Sequence, residues 1–337
     1  MVMSSMRSVH VANGIWWVEI PEAGLYVLCG CPADSVKHLM RRGLIAETRK
    51  NGITYETGPN AILLSDVLIQ NGSFANLAEF PVLQMLYKQG LILPGHPNNT
   101  GRLPLLIGSE EQVKAQQEYI YRGNYGLIST EEIEATGIDR DTAREMMRLK
   151  LKFAFGSIRP TKELVESRIV GKAPAEIRSG VTIRRLSINH FEFQCHDEVM
   201  EVDLNLKPHT RYGVPYNLGH QKVNRDYFSI VHSGNGDGWD MHRPSMASIV
   251  VFQGKIYLVD AGPNIDYTLK ALGIGVNEIE GIFHTHAHDD HFCGITTLTN
   301  TDHRIKYYAT PVVRASVQKK WAALTSVPED EFYEFFA

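Results

Sequence analysis

The C-terminal third of the chain alternates two periodicities. Residues 255–259 form a short β-rich run that stops at Asp260-Ala261-Gly262-Pro263, where glycine and proline end a strand. Asn264 stands at a helix N-cap position, and the apolar spacing over 265–272 predicts a helix. Residues 281–283 predict a second strand and 305–308 a third. Pro311 then opens a helix over 312–324, with Lys319 and Lys320 on its polar side. Strands alternating with helices predict an α/β arrangement with functional residues on loops at strand ends.

The middle of the chain is richer in strands. Residues 182–186, 190–194, 199–206, 227–231 and 248–252 carry the β-branched and aromatic residues that favour a pleated surface. Gly234-Asn235-Gly236-Asp237-Gly238 interrupts them and reads as a flexible loop; no helix follows it to make a phosphate cradle. Residues 131–172 are charged and helix-favouring, notably 141–153, with Gly156 and Pro160 ending the run, and predict a connector.

The two ends of the chain resemble each other. Residues 25–32 align with 256–263, each followed by a helical segment that ends at Gly43 or Gly273, and 61–65 align with 281–285. On this alignment Asp66, Leu68, Gln70 and Asn71 stand where His286, His288, Asp290 and His291 stand. The expected organisation is a degenerate first unit with the connector over 1–175, and a second, better furnished unit over 176–337.

Composition narrows the class. A hydrophobic fraction of 43%, a charged fraction of 21% and a net charge of −4 describe an ordinary globular chain without the basic footprint of a nucleic-acid binder. The apolar runs are too short to span a bilayer, and no apolar core follows the N-terminal residues as in a leader. Cys29, Cys31, Cys195 and Cys293 are too scattered for a disulfide framework, so a reduced, cytoplasmic setting is expected. Cys29 and Cys31, at a strand end with no second pair, read as packing residues.

Candidate chemistry concentrates in Thr285-His286-Ala287-His288-Asp289-Asp290-His291. A dense His/Asp cluster has little structural use, because buried imidazoles and carboxylates need specific partners, whereas histidine and carboxylate together are metal ligands. His284 reads as a buried strand residue and Asp289 as a solvated or supporting carboxylate. His303 reads as surface, and His190, His196 and His232 as structural or peripheral, while His242 is a candidate for the mouth of the site.

The string His286-x-His288-x-Asp290-His291, following a strand, resembles the metal motif of the metallo-β-lactamase-fold hydrolases, and Asp260-Ala261-Gly262-Pro263 resembles their strand-end aspartate motif. The resemblance implies an αββα sandwich, with the N-terminal unit a degenerate copy. It also implies two divalent ions, zinc first with iron or manganese as alternatives. His286 and His288 would face one ion and Asp290 and His291 the other, with Asp260 fixing the ligand imidazoles from behind. Two such ions supply a metal-bound hydroxide for esters near neutral pH, with Asp290 orienting the water. Gly234 to Gly238 and Arg243-Pro244-Ser245 are similar to the ribonuclease Z and phosphodiesterase branch, which implies a small phosphodiester or other ester-like substrate. Residues 283–294 and 308–324 resemble a bacterial branch in which a cyclic-nucleotide-binding domain follows.

Between His291 and Ala337 the single further histidine is His303, so the family's distal ligands have no counterpart. The chain therefore reads as the front part of a longer protein, with completion by a second subunit of a homo-oligomer as the alternative. Two rival functions stand beside the hydrolase: a non-catalytic metal- or nucleotide-responsive sensor, and a thioester hydrolase of glyoxalase II type.

Overall fold

Two apolar runs, Leu25–Cys29 and Lys255–Val259, each become the third strand of a sheet with the same order and sense. The computed structural model describes residues 6–154 and 156–337. Residues 1–5, the start of the N-terminal stretch that lacks an apolar core, lie outside the described residues. The chain divides into unit 1, Met1–Gln117 with Lys162–Pro215, and unit 2, Glu118–Thr161 with Tyr216–Ala337.

In unit 1, Arg7–Ala12 (β1), Ile15–Ile20 (β2), Leu25–Cys29 (β3), Ala61–Leu63 (β4), Leu105–Gly108 (β5) and Glu166–Ile169 (β6) form one sheet in that order. Its first three strands are antiparallel and the rest parallel. A second, antiparallel sheet comprises Ala175–Arg178 (β7), Val181–Ser187 (β8), His190–Cys195 (β9) and Glu198–Asp203 (β10). Val18, Ile20, Val27 and Leu105 from the first sheet share a buried cluster with Ile183, Phe191 and Phe193 from the second. That packing assigns β7 to β10 to unit 1, whereas the sequence reading grouped residues from 176 onward with the C-terminal domain. All four cysteines are buried.

In unit 2, Phe228–Gly234 (β11), Ala247–Phe252 (β12), Lys255–Val259 (β13), Ile279–Phe283 (β14) and Lys306–Tyr308 (β15) form a single sheet. The β11/β12 and β12/β13 pairs are antiparallel, and β13/β14 and β14/β15 parallel. Alternation buries Ile249, Val251, Ile256, Leu258, Ile282 and Tyr307 on one side. It leaves Phe228, Ile230, Phe252, Phe283 and Tyr308 exposed on the other, with the Phe283 and Tyr308 rings stacked at 4.6 Å. The helix Pro311–Thr325 is capped by Thr310, whose hydroxyl accepts from the Val313 amide. The helix Arg140–Phe153, expected as a connector, packs Ala143, Met146 and Met147 with Ile133, Val312 and Ala315 of unit 2. Among the described residues no helix is long and apolar enough to cross a membrane.

The likeness between the ends extends to backbone detail, with one correction. Val27 pairs with Ala61 as Tyr257 pairs with Gly281. The Gly30 amide donates to Leu63 at 2.8 Å and the Asp260 amide to Phe283 at 2.8 Å. Both residues take positive φ, 78° and 61°. The counterpart of Asp260 is therefore Gly30, one residue beyond the Cys29 that the sequence alignment placed there. Matching apolar runs do not fix register to a single residue; the strand pairing does.

Candidate metal centre

Asp260 follows β13 in the left-handed region, which aspartate tolerates better than most residues. Its carboxylate is buried and satisfied from three directions. Oδ1 accepts from the Thr285 amide at 2.8 Å, and Oδ2 accepts from the Thr285 hydroxyl at 2.7 Å and from His291 Nδ1 at 2.9 Å. Burial alone would raise this carboxyl, but the bonds from His291 and Thr285 outweigh it and hold it below the usual carboxylate value.

The turn after Asp260 is laced to the motif loop. The Ala261 amide donates to the His291 carbonyl at 2.9 Å, and the Gly294 amide to the Ala261 carbonyl at 2.7 Å. Gly262 is required for close approach: a Cβ there would stand 2.3 Å from the Asp290 carbonyl oxygen and 3.0 Å from Ser245 Cβ. Its negative-φ backbone gives no other reason for glycine. The Gly234 to Gly238 stretch, expected to be a flexible loop, is a closed turn in which Gly236 donates to the Pro244 carbonyl at 2.9 Å. It seats Ser245 against Gly262.

The motif leaves β14 at Phe283 and turns into a short helix, Asp289–Phe292. That turn brings His286, His288 and Asp290 together, with one donor atom from each lying within 4.8 Å of the others. Among the described residues no other trio of histidine, cysteine or carboxylate side chains converges in this way. A shared ion about 2.1 Å from each donor needs separations of roughly 4.2 Å or less, so the donor set fits a small divalent ion after slight closure. The His286 and His291 rings are 4.1 Å apart, and His291 Nε2 lies 3.4 Å from Asp290 Oδ2.

The electrostatics separate the histidines. Burial, with Lys320 and His286 adding to it, lowers His288 to about 4. Burial and the neighbouring His291 also lower His286. Both imidazoles are thus neutral near pH 7 with a nitrogen lone pair to offer. His291 behaves oppositely: burial would lower it, but hydrogen bonds to Asp260 and Asp290 raise it to about 9. In Asp290 the bond from His291 and the surrounding imidazoles overcome burial and lower the carboxyl.

The remaining candidates divide clearly. His284 is buried, donates to or accepts from the Tyr307 hydroxyl through Nδ1 at 2.9 Å, and is lowered to about 4, chiefly by burial. His303 is a surface residue bonded to Asp302 at 2.9 Å, and His242 is exposed. His190 pairs with Glu201 and His232 with Ser248, and His196 lies on the surface. Asp289 is not solvated; it is 3% exposed and bonded by Lys320 and Tyr119. Lys320, expected on the polar side of its helix, is completely buried. Tyr119 carried no signal in the sequence at all.

The corresponding loop of unit 1 is tied by amides. Asp66 accepts from the Asn189 amide at 2.9 Å, Gln70 bonds the Tyr212 hydroxyl at 2.8 Å, and Asn71 bonds the Lys207 and Thr210 carbonyls. Asn76 Oδ1 receives the Ser65 amide at 2.9 Å, the bond that Asp260 makes to Thr285 in unit 2.

No curated protein matches the chain. A structure described as a new diphosphatase from the PhnP family is similar over 26% of this chain and 44% of that one, at 21% identity and a TM-score of 0.24. The match thus spans less than half of that protein. Residues 242–319, which hold Asp260, Gly262 and the whole His/Asp motif, match the family model described as Metallo-beta-lactamase superfamily. The C-terminal part of this chain contains a metallo-β-lactamase superfamily domain.

Proposed function

We propose that the chain is a metal-dependent hydrolase acting on a phosphodiester or other ester-like small molecule. The observation that carries this reading is the convergence of His286, His288 and Asp290 to within 4.8 Å. Two neutral imidazoles and a carboxylate suit zinc, with iron or manganese as alternatives. Asp290 and His291, whose Nε2 faces Asp290, supply the donors for a second ion. Held by these residues, a divalent ion would supply Lewis-acid chemistry and a water made acidic enough to ionise near neutral pH.

The side chains supply the rest. Asp260 holds His291 through Nδ1, which leaves Nε2 as the outward nitrogen and fixes the ring. Thr285 holds Asp260 in turn. Asp290 orients the attacking water. In this reading unit 1 is a copy whose metal site has been replaced by amide hydrogen bonds; its two sheets suit the αββα layering, of which unit 2 supplies one sheet.

The test is hydrolysis of bis(p-nitrophenyl) phosphate and of a glutathione thioester by the full chain with zinc or manganese added. Metal-dependent release of nitrophenol, lost in His288→Ala and Asp290→Ala, is expected. Rates that those substitutions leave unchanged would sink the proposal. Stoichiometric metal without turnover of either substrate would favour the sensor.

A further inference from the structure

The fully buried Lys320 is the least expected feature of unit 2. An ammonium group taken out of water costs several kcal/mol unless well paired, and an apolar side chain of similar volume is often as stabilising. Helix position alone does not require a lysine here, since its neighbours Val317, Trp321 and Leu324 are buried apolar residues. What the ammonium reaches is specific. Nζ donates to the Ala287 carbonyl at 2.6 Å and to Asp289 Oδ1 at 2.6 Å. It also lies 4.5 Å from the Phe292 ring centre and 4.8 Å from that of Tyr119. The Tyr119 hydroxyl donates to the same Asp289 oxygen.

Ala287 and Asp289 are the residues on either side of His288, and Asp289 directly precedes Asp290. One cation therefore grips the loop at the two points that bracket a metal-binding imidazole. We propose that Lys320, with Asp289 and Tyr119, is a positioning device that fixes the backbone from which His288 and Asp290 project. The inference rests on the reading of His286, His288 and Asp290 as metal ligands. It adds a third layer behind them, delivered by two helices remote in sequence.

The sign of the effect separates positioning from charge. A cation near a metal site repels the metal, so if Lys320 acted through its charge alone, Lys320→Met would bind zinc more tightly. If it positions the loop, Lys320→Met binds zinc about 10- to 100-fold more weakly, the range for loss of supporting groups at metal sites.

The experiment is zinc titration of the full-length protein against a chromophoric chelator, with the visible spectrum of the cobalt form recorded alongside. Tyr119→Phe, which keeps the ring and the ion pair, is the second variant and covers a failure of Lys320→Met to fold. It is expected to weaken zinc severalfold and to shift the cobalt bands. Unchanged or tighter zinc binding with an unaltered cobalt spectrum, in whichever of the two variants folds, overturns the inference. Failure of the wild-type protein to bind zinc, or equal binding by wild type and His288→Ala, overturns instead the reading on which it rests.

Discussion

Asp260 Oδ2 and His291 Nδ1 lie 2.9 Å apart, joining the end of one strand to the far end of the motif loop. The bond decides which nitrogen of His291 is available: Nδ1 is held by Asp260, so Nε2 faces Asp290, to which it donates while the ring is protonated and beside which it offers a lone pair once that proton is lost. It is charge-assisted: the carboxyl is lowered and the imidazole raised to about 9, each by the other against the opposing effect of burial. Asp260 thereby couples the β13 turn, Thr285 and the last residue of the motif.

Replacing Asp260 with Asn keeps the shape and removes the charge. The amide retains one acceptor for three donors, so His291 loses its fixed orientation. Zinc affinity is expected to fall about 10- to 100-fold, as for other supporting carboxylates. Competition with a chelator measures this directly, and an affinity equal to wild type would refute the role given to Asp260.

Thr285 offers a finer test of the same arrangement. Thr285→Val removes the hydroxyl that donates to Asp260 at 2.7 Å and leaves a buried carboxylate short of one partner. A loss of about 1–3 kcal/mol in unfolding free energy is expected for the metal-free protein. Thr285→Ser should recover most of it. Equal urea midpoints for the Val and Ser variants would show that the hydroxyl contributes nothing.

Close approach of backbone is tested at Gly262. An alanine Cβ there would stand 2.3 Å from the Asp290 carbonyl, a backbone atom that cannot rotate away. Gly262→Ala should cost about 1–3 kcal/mol and weaken zinc binding, because Asp290 must shift. Gly275→Ala is the matched control, since its nearest contact is an ordinary 3.6 Å. Similar thermal midpoints for the two variants would contradict the close packing.

How much of this was legible in the sequence follows from the range of each interaction. Asp260 and the motif were legible because their residue types are chemically demanding and lie close together in sequence. The strands of unit 2, with β3, β4 and β8 to β10 of unit 1, were legible from their β-rich runs; β1, β2, β5 and β7 carried no such reading, and β6 lies inside the stretch 131–172 expected to be helical. Lys320 was not, because helical spacing reports which residues share a face but not that a carbonyl and carboxylate from residues 287 and 289 meet one of them. Tyr119 is farther still, and a buried tyrosine on a polar helix gives no local sign of its partner. Asn76 takes over a bond made by an aspartate elsewhere in the repeat, so alignment by position missed it. The Gly234 to Gly238 turn misled in the other direction: glycines chosen for close packing look, in sequence, like glycines chosen for flexibility.

His38, a residue of unit 1, provides the pH prediction. It lies on the helix Ser35–Arg41, is 8% exposed, and its Nε2 is 2.9 Å from the Gly213 carbonyl. Burial lowers its pKa below 6.5; the Gly213 bond and Asp34 oppose the shift, while Arg41 and Arg42 add to it. Because the folded value is the lower one, the unfolded chain takes up the proton first as pH falls. Stability is therefore fully present above about pH 6.5 and declines below it, toward the folded-state value. His38→Gln keeps an N–H donor for Gly213 but cannot ionise. The loss in urea midpoint between pH 7.5 and 5.5 should accordingly be smaller in the variant than in wild type. Carboxylates elsewhere contribute equally to both proteins and cancel in the difference. Parallel pH dependences would mean that His38 is as easily protonated folded as unfolded, and that its burial beside Gly213 has no electrostatic cost.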